Sequence, residues 1–432
     1  MRYHWASSLE NKGALALGET DKALSCRARA DGIRVMGKQH SVLIAAVVAF
    51  TTGPSLAPHP VAAQIAPQQS APAAVPSQGP AHEGIIEQSV LLTVAGPSGP
   101  YNLEAVIVRP AKTDGRLPVA LMTHGKQRTA ADMANMHAEL MLPQARDFAH
   151  RGYLAVAVVR RGFGRSGGTP GVATNAPYAK CSLADLQRYF AVESDDLEAT
   201  LRAIAARPDA DSSRMIAVGA SVGGGAVLAL AARRPKGLVA AVNLAGGMRL
   251  TDATGALVCP AETPIAALAT FGSAKIPTLW VYSENDSVTT RDNAQRLRDA
   301  YAQAGGLVEL HTVPALPQDG HFVFELPDGR VQWLSVLDPF LRGHNLPTWQ
   351  PSQVDAVMRA GQLGSNNRAL IEKYFSLYTP KVLIQGAGFV TYTANTRSLE
   401  QARTTGLAQC QQKSSLPCKI ILENFSPPLI NR

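Results

Sequence analysis

The chain has 432 residues, more than the roughly 100–200 of a typical domain, so its length predicts two domains with an appendage. Hydrophobic residues make up 46% of the sequence and charged residues only 17%, which excludes a disordered chain. The formal net charge of +8 is spread along the sequence without basic clusters, so it argues against nucleic acid as a partner.

The amino-terminal segment has the layout of a secretory signal peptide over residues 36–63. An uncharged apolar run at residues 41–50 follows Lys38 and precedes small residues at 61–63. A membrane anchor is the alternative, but a span needs about 20 apolar residues, and prolines interrupt this stretch. The sequence therefore predicts export to the periplasm or the cell exterior, with no stable membrane span after cleavage.

The segments on either side of this predicted signal peptide are not expected to fold. Residues 1–35 read as an upstream extension to which no structure is assigned. Residues 64–84 are rich in Ala, Pro, Gln and Ser and too poor in large apolar residues to order themselves, which predicts a flexible leader.

The cysteine count becomes even once the signal region is removed. Cleavage takes away Cys26 and leaves four cysteines, which permits two disulfides in an oxidising compartment. Short spacing favours Cys410–Cys418, and the loop positions of the other two favour Cys181–Cys259. Four buried free thiols are the alternative.

From residue 85 the sequence alternates between apolar strands and helices. Strands at residues 87–94 and 102–109 predict an opening hairpin. Further strands are predicted at residues 117–123, 153–160, 215–220, 239–244, 277–282 and 308–313, and helices at 131–150, 195–206, 221–234, 290–304 and 330–342. Continuous apolar strands separated by helices predict an α/β domain over residues 85–346, with a mostly parallel sheet covered by helices on both faces.

Residues 347–432 follow a different pattern, which predicts a small α+β module. The predicted helices are at 366–377 and 398–411, and the strands at 381–384, 389–392 and 419–423. No group of chemically reactive residues stands out in this module, which could serve oligomerisation, surface binding or stability. The oligomeric state stays open.

The motif Gly219-Ala220-Ser221-Val222-Gly223 lies between a predicted strand and a predicted helix. It matches G-x-S-x-G, in which a sharp turn presents a nucleophilic serine and the flanking glycines, Gly219 and Gly223, let the two arms of the turn approach. The context of strand and helix therefore predicts that Ser221 is a nucleophile.

A serine nucleophile needs a histidine base, and in this topology the base follows the serine and the acid along the chain. Only His311, His321 and His344 come after Ser221. His311 lies within an apolar strand and His344 in a turn after the last helix, so both read as structural or surface residues. His321 lies in the loop after the last strand, which predicts that it is the base.

The acid and the oxyanion hole are expected at two other strand ends. Asp286 follows the strand at 277–282 and is the favoured acid, with Glu284 as the alternative and a helix-capping role as its structural explanation. The oxyanion hole needs two backbone N–H groups. Val222 is expected to supply one, and the turn after residues 117–123 the other, through Lys126 or alternatively Gln127.

Together these motifs resemble the α/β-hydrolase superfamily, most closely its dienelactone-hydrolase-like and prolyl-oligopeptidase-like branch, over about residues 85–346. Dienelactone hydrolases proper carry a cysteine where this chain has Ser221, and the stretch before residue 85 is too short for the propeller domain of prolyl oligopeptidases. The resemblance therefore implies a secreted serine hydrolase without a size-selecting gate.

The expected function is hydrolysis of a small-molecule carboxylic ester through an acyl-enzyme. A peptidase or amidase is the second possibility, and an envelope-binding module with a vestigial pocket is the non-enzymatic one. No His, Cys or Asp cluster has metal-ligand spacing, so no metal or cofactor is expected. The glycine-rich loop at residues 160–167 favours a structural role, with contact between Arg161 and an acidic substrate group as the alternative.

Overall fold

The computed structural model describes residues 84–96, 99–127, 129–169, 181–248, 259–349, 351–377, 379–394 and 396–425. The predicted extension and signal peptide lie outside these residues, as does the predicted leader except for its last residue. None of the helices in this described part combines the length and the apolar composition that a membrane crossing requires.

An eight-stranded sheet forms the centre of the larger part of the molecule. Its strands are β1 (Ile85–Gly96), β2 (Gly99–Pro110), β3 (Leu117–Thr123), β4 (Leu154–Val158), β5 (Ala210–Ala220), β6 (Leu238–Leu244), β7 (Pro277–Ser283) and β8 (Leu307–Val313). Their order is β1-β2-β4-β3-β5-β6-β7-β8. The pairs β1–β2 and β2–β4 are antiparallel and the remaining pairs are parallel. This arrangement confirms the predicted hairpin and the predicted mostly parallel sheet.

Helices cover both faces of this sheet, because its central strands are apolar on both sides and β3 and β4 are buried along their whole length. The helices are α1 (Ala130–Ala134), α2 (Leu142–His150), α3 (Leu183–Ala205), α4 (Val222–Ala232), α5 (Glu262–Ala269), α6 (Arg291–Gln303) and α7 (Pro327–Gly343). Apolar side chains of α1, α2 and α7 form the core on one face. Those of α3, α4, α5 and α6 form the core on the other.

The helices of the larger part differ from the prediction in three respects. The helix expected at 131–150 is broken into α1 and α2, with a 3-10 turn at Ala138–Met141 between them. The buried carboxylate of Glu104, on β2, accepts the Ala138 N–H at 2.9 Å and so caps the turn from outside the segment. Helix α3 begins at Leu183 rather than at residue 195, because the Ser182 side chain caps it by accepting the Asp185 N–H. Helix α5 was not predicted.

The carboxy-terminal residues form a small α+β module, as expected. It contains α8 (Pro351–Ala360), α9 (Arg368–Ser376), α10 (Leu399–Gln411), β9 (Val382–Gln385), β10 (Val390–Thr393) and β11 (Lys419–Glu423). The three strands form an antiparallel sheet of order β10-β9-β11 with apolar clusters of its own. Helix α8 was not predicted. The boundary at residues 346 and 347 stays a prediction.

Two disulfides are present, with the expected pairing. Cys181 and Cys259 have Cα atoms 5.4 Å apart and join the segment before α3 to the segment before α5. Cys410 and Cys418, with Cα atoms 6.1 Å apart, join the end of α10 to the segment before β11. The second bridge therefore lies in the small module, where a limited core gains most from a covalent restraint.

A buried carboxylate joins the module to the larger part of the molecule. Asp338, on α7, pairs with the Arg151 guanidinium through contacts of 2.6 and 2.9 Å, and both side chains are almost fully buried. The same carboxylate accepts hydrogen bonds from the Thr348 hydroxyl and, at 2.6 Å, from the Trp349 indole N–H. Asp338 therefore connects α7, the end of α2 and the segment that leads into the module.

Replacing Asp338 with alanine should destabilise the protein strongly, because it leaves the Arg151 charge buried without its counter-ion. We expect the free energy of unfolding to fall by about 3–5 kcal/mol, measured by urea denaturation at neutral pH. As a control, Glu262→Ala removes an exposed ion pair with Arg296 and should leave the unfolding midpoint near that of the wild type. Equal midpoints for the two variants would contradict the stabilising role of Asp338.

Candidate active site

Ser221 lies in a strained turn between β5 and α4. Its φ of 53° and ψ of −121° are rare for a residue with a side chain, and its N–H donates to the Leu244 carbonyl at 2.9 Å. A Cβ added to Gly219 would lie 2.0 Å from the Gly223 carbonyl oxygen, and one added to Gly223 would lie 2.4 Å from the His124 oxygen. Gly219 is therefore needed for the turn to close, and Gly223 is needed for the turn to pack against the segment after β3.

The structure brings the predicted serine, histidine and aspartate together. His321 Nε2 is 2.9 Å from Ser221 Oγ, and His321 Nδ1 is 3.0 Å from Asp286 Oδ1. Asp286 follows β7, and His321 lies in the 3-10 turn Gly320–Phe322 that follows β8. The His321 side chain is 12% exposed and that of Asp286 is fully buried, so solvent competes little with either contact.

Asp286 is held by its own loop. Its Oδ1 also accepts the N–H groups of Val288 and Thr289, both at 2.9 Å. These residues precede α6, whose amino-terminal cap is Thr290, so Asp286 holds the loop before the helix and does not cap the helix itself. Glu284, the alternative acid, is exposed. The structure thus places Asp286, and not Glu284, at the His321 ring.

The two other histidines that follow Ser221 lie in other environments. His311 Nε2 is 2.6 Å from Glu309 Oε1 on the same strand. The ring of His344, just after α7, packs edge-on against Phe340. Both contacts agree with the structural or surface roles expected of these residues.

The electrostatic environment of His321 suits a general base. Burial lowers its pKa, but the hydrogen bond and negative charge of Asp286, with smaller contributions from Glu325 and Asp319, raise the pKa above its ordinary value. Asp319 also accepts the N–H groups of His321 at 2.9 Å and Ser287 at 3.1 Å. It therefore ties the loop of the histidine to the loop of the aspartate.

The turn after β3, residues 124–126, faces the serine; we call it the oxyanion loop, after the role that the sequence predicts for it. A Cβ added to Gly125 would lie 3.1 Å from the Ser221 Cβ and 3.6 Å from its Oγ, so a side chain there would crowd the nucleophile. Val222 begins α4 directly after the serine, and Gln127 donates its side-chain amide to Met136 Sδ. The roles of the Val222 and Lys126 N–H groups as oxyanion donors stay predictions.

The two arginines at the end of β4 have different partners. Arg161 Nε contacts Asp196 Oδ1 at 2.7 Å and its Nη2 lies 3.1 Å from Tyr101 Oη, which agrees with the structural role considered from the sequence. Its contact with a substrate stays a prediction. Sequence reasoning missed Arg160, which is buried and donates to the carbonyl groups of His124 and Gly125. An arginine two residues after a fully apolar strand is the signal that could have found it.

A cavity of about 330 Å³ lies at the ends of β6 and β7, beside the loop of Asp286. The described residues that line it are uncharged and come from the loops after these two strands and from α5 and α6, with Cys259 of the first disulfide among them. They are Gly247, Met248, Cys259, Ala261, Pro264, Ile265, Leu268, Ser287, Val288, Thr289, Thr290, Asn293 and Leu297. The cavity can therefore hold an uncharged group.

Comparison with known proteins gives one family match. Residues 98–310, just under half of the chain, match the family model of the X-Pro dipeptidyl-peptidases of the S15 family. The matched stretch contains Ser221 and Asp286 and ends before His321. No curated protein matches the chain.

Among solved structures, the chain is similar to an acetyl xylan esterase from Paenibacillus sp. R4, at 18% identity over 62% of this chain and 88% of that one, with a TM-score of 0.43. An esterase of Pyrococcus furiosus is 16% identical over 59% of this chain and 90% of its own, with a TM-score of 0.41. A dienelactone-hydrolase-like promiscuous phosphotriesterase from metagenomic libraries is 17% identical over 68% and 99%, with a TM-score of 0.38.

The fold and the serine turn of this chain themselves indicate its class. Its sheet begins with antiparallel strands and continues with parallel strands. Helices join successive parallel strands, and together these helices cover both faces of the sheet. A serine lies on a strained turn between a strand and a helix, as the G-x-S-x-G motif requires. The strand order, this serine and the matched stretch of the family model together support a serine hydrolase with the α/β-hydrolase fold, which acts on ester or related bonds.

Proposed function

We propose that this protein is an exported hydrolase of carboxylic esters in which Ser221 is the nucleophile, His321 the general base and Asp286 the acid that orients it. The observation that carries the proposal is the continuous line of contacts from Ser221 Oγ through the His321 ring to Asp286, at 2.9 and 3.0 Å. Such a line activates a serine that is otherwise a weak nucleophile.

In the acylation step, His321 Nε2 accepts the hydroxyl proton while Ser221 Oγ attacks the carbonyl carbon of the ester. The negative charge moves to the carbonyl oxygen, where the N–H groups of Val222 and Lys126 stabilise it. The imidazolium, stabilised by Asp286, protonates the leaving alcohol. A water molecule deprotonated by His321 then hydrolyses the acyl-enzyme and restores the serine.

A small, neutral ester is the favoured substrate class. The cavity beside the Asp286 loop is lined by apolar and uncharged polar groups, which suits an uncharged acyl or alcohol group better than an ionic one. A buried charge there would have no partner among the described residues of the lining. The cavity therefore supports an ester with an apolar substituent.

A peptidase is the second candidate, because the matched family model is that of dipeptidyl-peptidases. Release of a dipeptide requires recognition of the charged amino terminus of the substrate, which a carboxylate would supply. Among the described residues that line the cavity there is no carboxylate. The ester reading is therefore preferred over that of an exopeptidase.

Export is supported by the two disulfides, because disulfides persist in oxidising compartments and are rare in the cytosol. We expect the mature protein to begin at Gln64 and to gain about 4 Da on reduction, two hydrogens for each bridge. Amino-terminal sequencing and intact mass with and without reductant measure both. A mature chain without a mass change would contradict the oxidised state and the export that it supports.

The role of Ser221 can be tested with a fluorophosphonate probe, which reacts with activated serines. We expect the wild type to be labelled and to hydrolyse p-nitrophenyl esters faster than a panel of peptide amides, and Ser221→Ala to lose both properties. Ser335→Ala, on the exposed face of α7, is the matched control and should keep both. If the wild type were not labelled, the result would favour the alternative that the protein is a non-enzymatic binding module.

The pH dependence should reflect the environment of His321. Because the base acts as neutral imidazole and its pKa is raised, kcat/KM should fall as the pH drops through a midpoint above the ordinary histidine value near 6.5. In Asp286→Asn, the charge that raises this pKa most is lost, while burial and the smaller contributions of Glu325 and Asp319 remain. The midpoint should therefore move to lower pH while kcat falls by about 10⁴-fold.

The control for this experiment is Glu284→Gln, which alters the exposed carboxylate two residues from Asp286. Both the kcat and the midpoint of this variant should match those of the wild type. If Asp286→Asn kept the wild-type midpoint, or Glu284→Gln shifted it instead, Asp286 would not be the acid that orients His321.

A further inference from the structure

The buried guanidinium of Arg160 contacts the oxyanion loop. We infer that Arg160 is a positioning residue, which holds the carbonyl groups of this loop so that the Lys126 N–H is directed at the reacting centre. The inference rests on the proposed function, in which that N–H stabilises the negative charge on the substrate oxygen.

The contacts of Arg160 converge on consecutive groups of one short segment. Its Nη1 donates to Thr123 Oγ1 at 2.8 Å and to the His124 carbonyl at 2.6 Å, and its Nη2 donates to the Gly125 carbonyl at 3.2 Å. The side chain is 2% exposed. The planar guanidinium thus presents several donors in a fixed geometry to groups that a single ammonium could not span.

The trans geometry of the peptide bond between Gly125 and Lys126 determines where the Lys126 N–H points when the Gly125 carbonyl is held by Arg160. In a trans peptide, a carbonyl group and the N–H of the next residue point in opposite directions. Because the Gly125 carbonyl points to Arg160, the Lys126 N–H points away from the guanidinium. The Cβ position of Gly125 lies 3.1 Å from the Ser221 Cβ, so the loop has the nucleophile close by.

Arg160 also acts on the same carbonyl through His124. The backbone N–H of Arg160 donates to His124 Nε2 at 3.2 Å, which leaves the ring proton on Nδ1, where it donates to the Gly125 oxygen at 2.7 Å. Burial and the nearby Arg160 charge keep the pKa of His124 well below its ordinary value, so the ring stays neutral. The Gly125 carbonyl therefore has two donors: the Arg160 guanidinium, and the His124 ring, which is oriented by the Arg160 backbone N–H and so remains when the Arg160 side chain is replaced.

Glu193, on α3, makes the burial of this cation possible. Its Oε2 contacts Arg160 Nε at 2.5 Å, and its side chain is also nearly buried. The pair leaves the Nη1 and Nη2 groups of Arg160 for the oxyanion loop, because only Nε is engaged by the carboxylate. A buried guanidinium without such a partner would be strongly destabilising.

The test compares Arg160→Met with the wild type in steady-state hydrolysis of a p-nitrophenyl ester, with active sites counted by fluorophosphonate titration. We expect kcat per titrated site to fall about 10- to 100-fold, less than the 10²–10³-fold loss that follows removal of an oxyanion donor. KM should change little, because the loop acts on the transition state and not on substrate binding.

A trifluoromethyl ketone provides the second measurement. Ser221 Oγ adds to its carbonyl carbon, the serine proton passes to His321, and the resulting hemiketal carries an oxyanion. Its inhibition constant should rise in Arg160→Met by about the factor by which kcat/KM falls. A residue that only supports the fold would leave this constant unchanged in the molecules that remain folded.

Arg330→Met is the matched control. It removes another buried arginine from a buried carboxylate, Asp147, on the opposite face of the sheet, so it costs folding stability without touching the oxyanion loop. Its kcat per titrated site and its inhibition constant should equal those of the wild type. If Arg160→Met behaves in the same way, or raises KM while kcat is kept, the positioning role is wrong.

Arg160→Lys keeps the test decisive if the methionine variant does not fold. A lysine retains the positive charge beside Glu193 but cannot hold both carbonyl groups, so kcat and inhibitor affinity should still fall together. Wild-type values for Arg160→Lys would overturn the inference. A wild type that neither binds the probe nor cleaves esters would instead overturn the proposed function, which separates the two failures.

Discussion

The left-handed backbone of Ser221 is the constraint on which the rest of the site depends. With φ at 53°, the serine needs a turn so tight that Gly219 and Gly223 pack backbone against backbone. Gly125 also lacks a side chain, which lets its backbone approach Ser221 within contact distance. A strained serine and a close oxyanion loop are thus two results of one packing arrangement, and the sheet must supply the energy that holds both.

The sheet does this by bringing the ends of neighbouring strands to one edge. The turn of the serine follows β5, the aspartate follows β7 and the histidine follows β8, while the oxyanion loop follows β3 on the other side of the serine. Contacts between the loops then refine these positions, through Asp319 for the acid and base and through Arg160 for the oxyanion loop. In the proposed mechanism these groups therefore require little reorganisation.

Much of this arrangement could be predicted because it follows from local sequence patterns and from the order of the residues along the chain. The apolar strands, the G-x-S-x-G turn and the position of His321 after the last strand need no knowledge of distant contacts. The break between α1 and α2 could not be predicted, because a carboxylate from β2, Glu104, creates it. Arg160 and Arg161 are neighbours in the same loop, and only the carboxylates Glu193 and Asp196, one turn apart on α3, separate their roles.

The cluster around Asp338 bears on how separable the two parts of the chain are. The larger part has its own sheet and the module its own core, which suggests that either could be cut away. Yet truncation before Thr348 would strip Asp338 of two of its donors and would uncover the side of α2 where the His150 ring stacks on Phe425. The module is therefore an integral piece of the folded enzyme, and a shortened enzyme would need new polar partners at α7 to replace it.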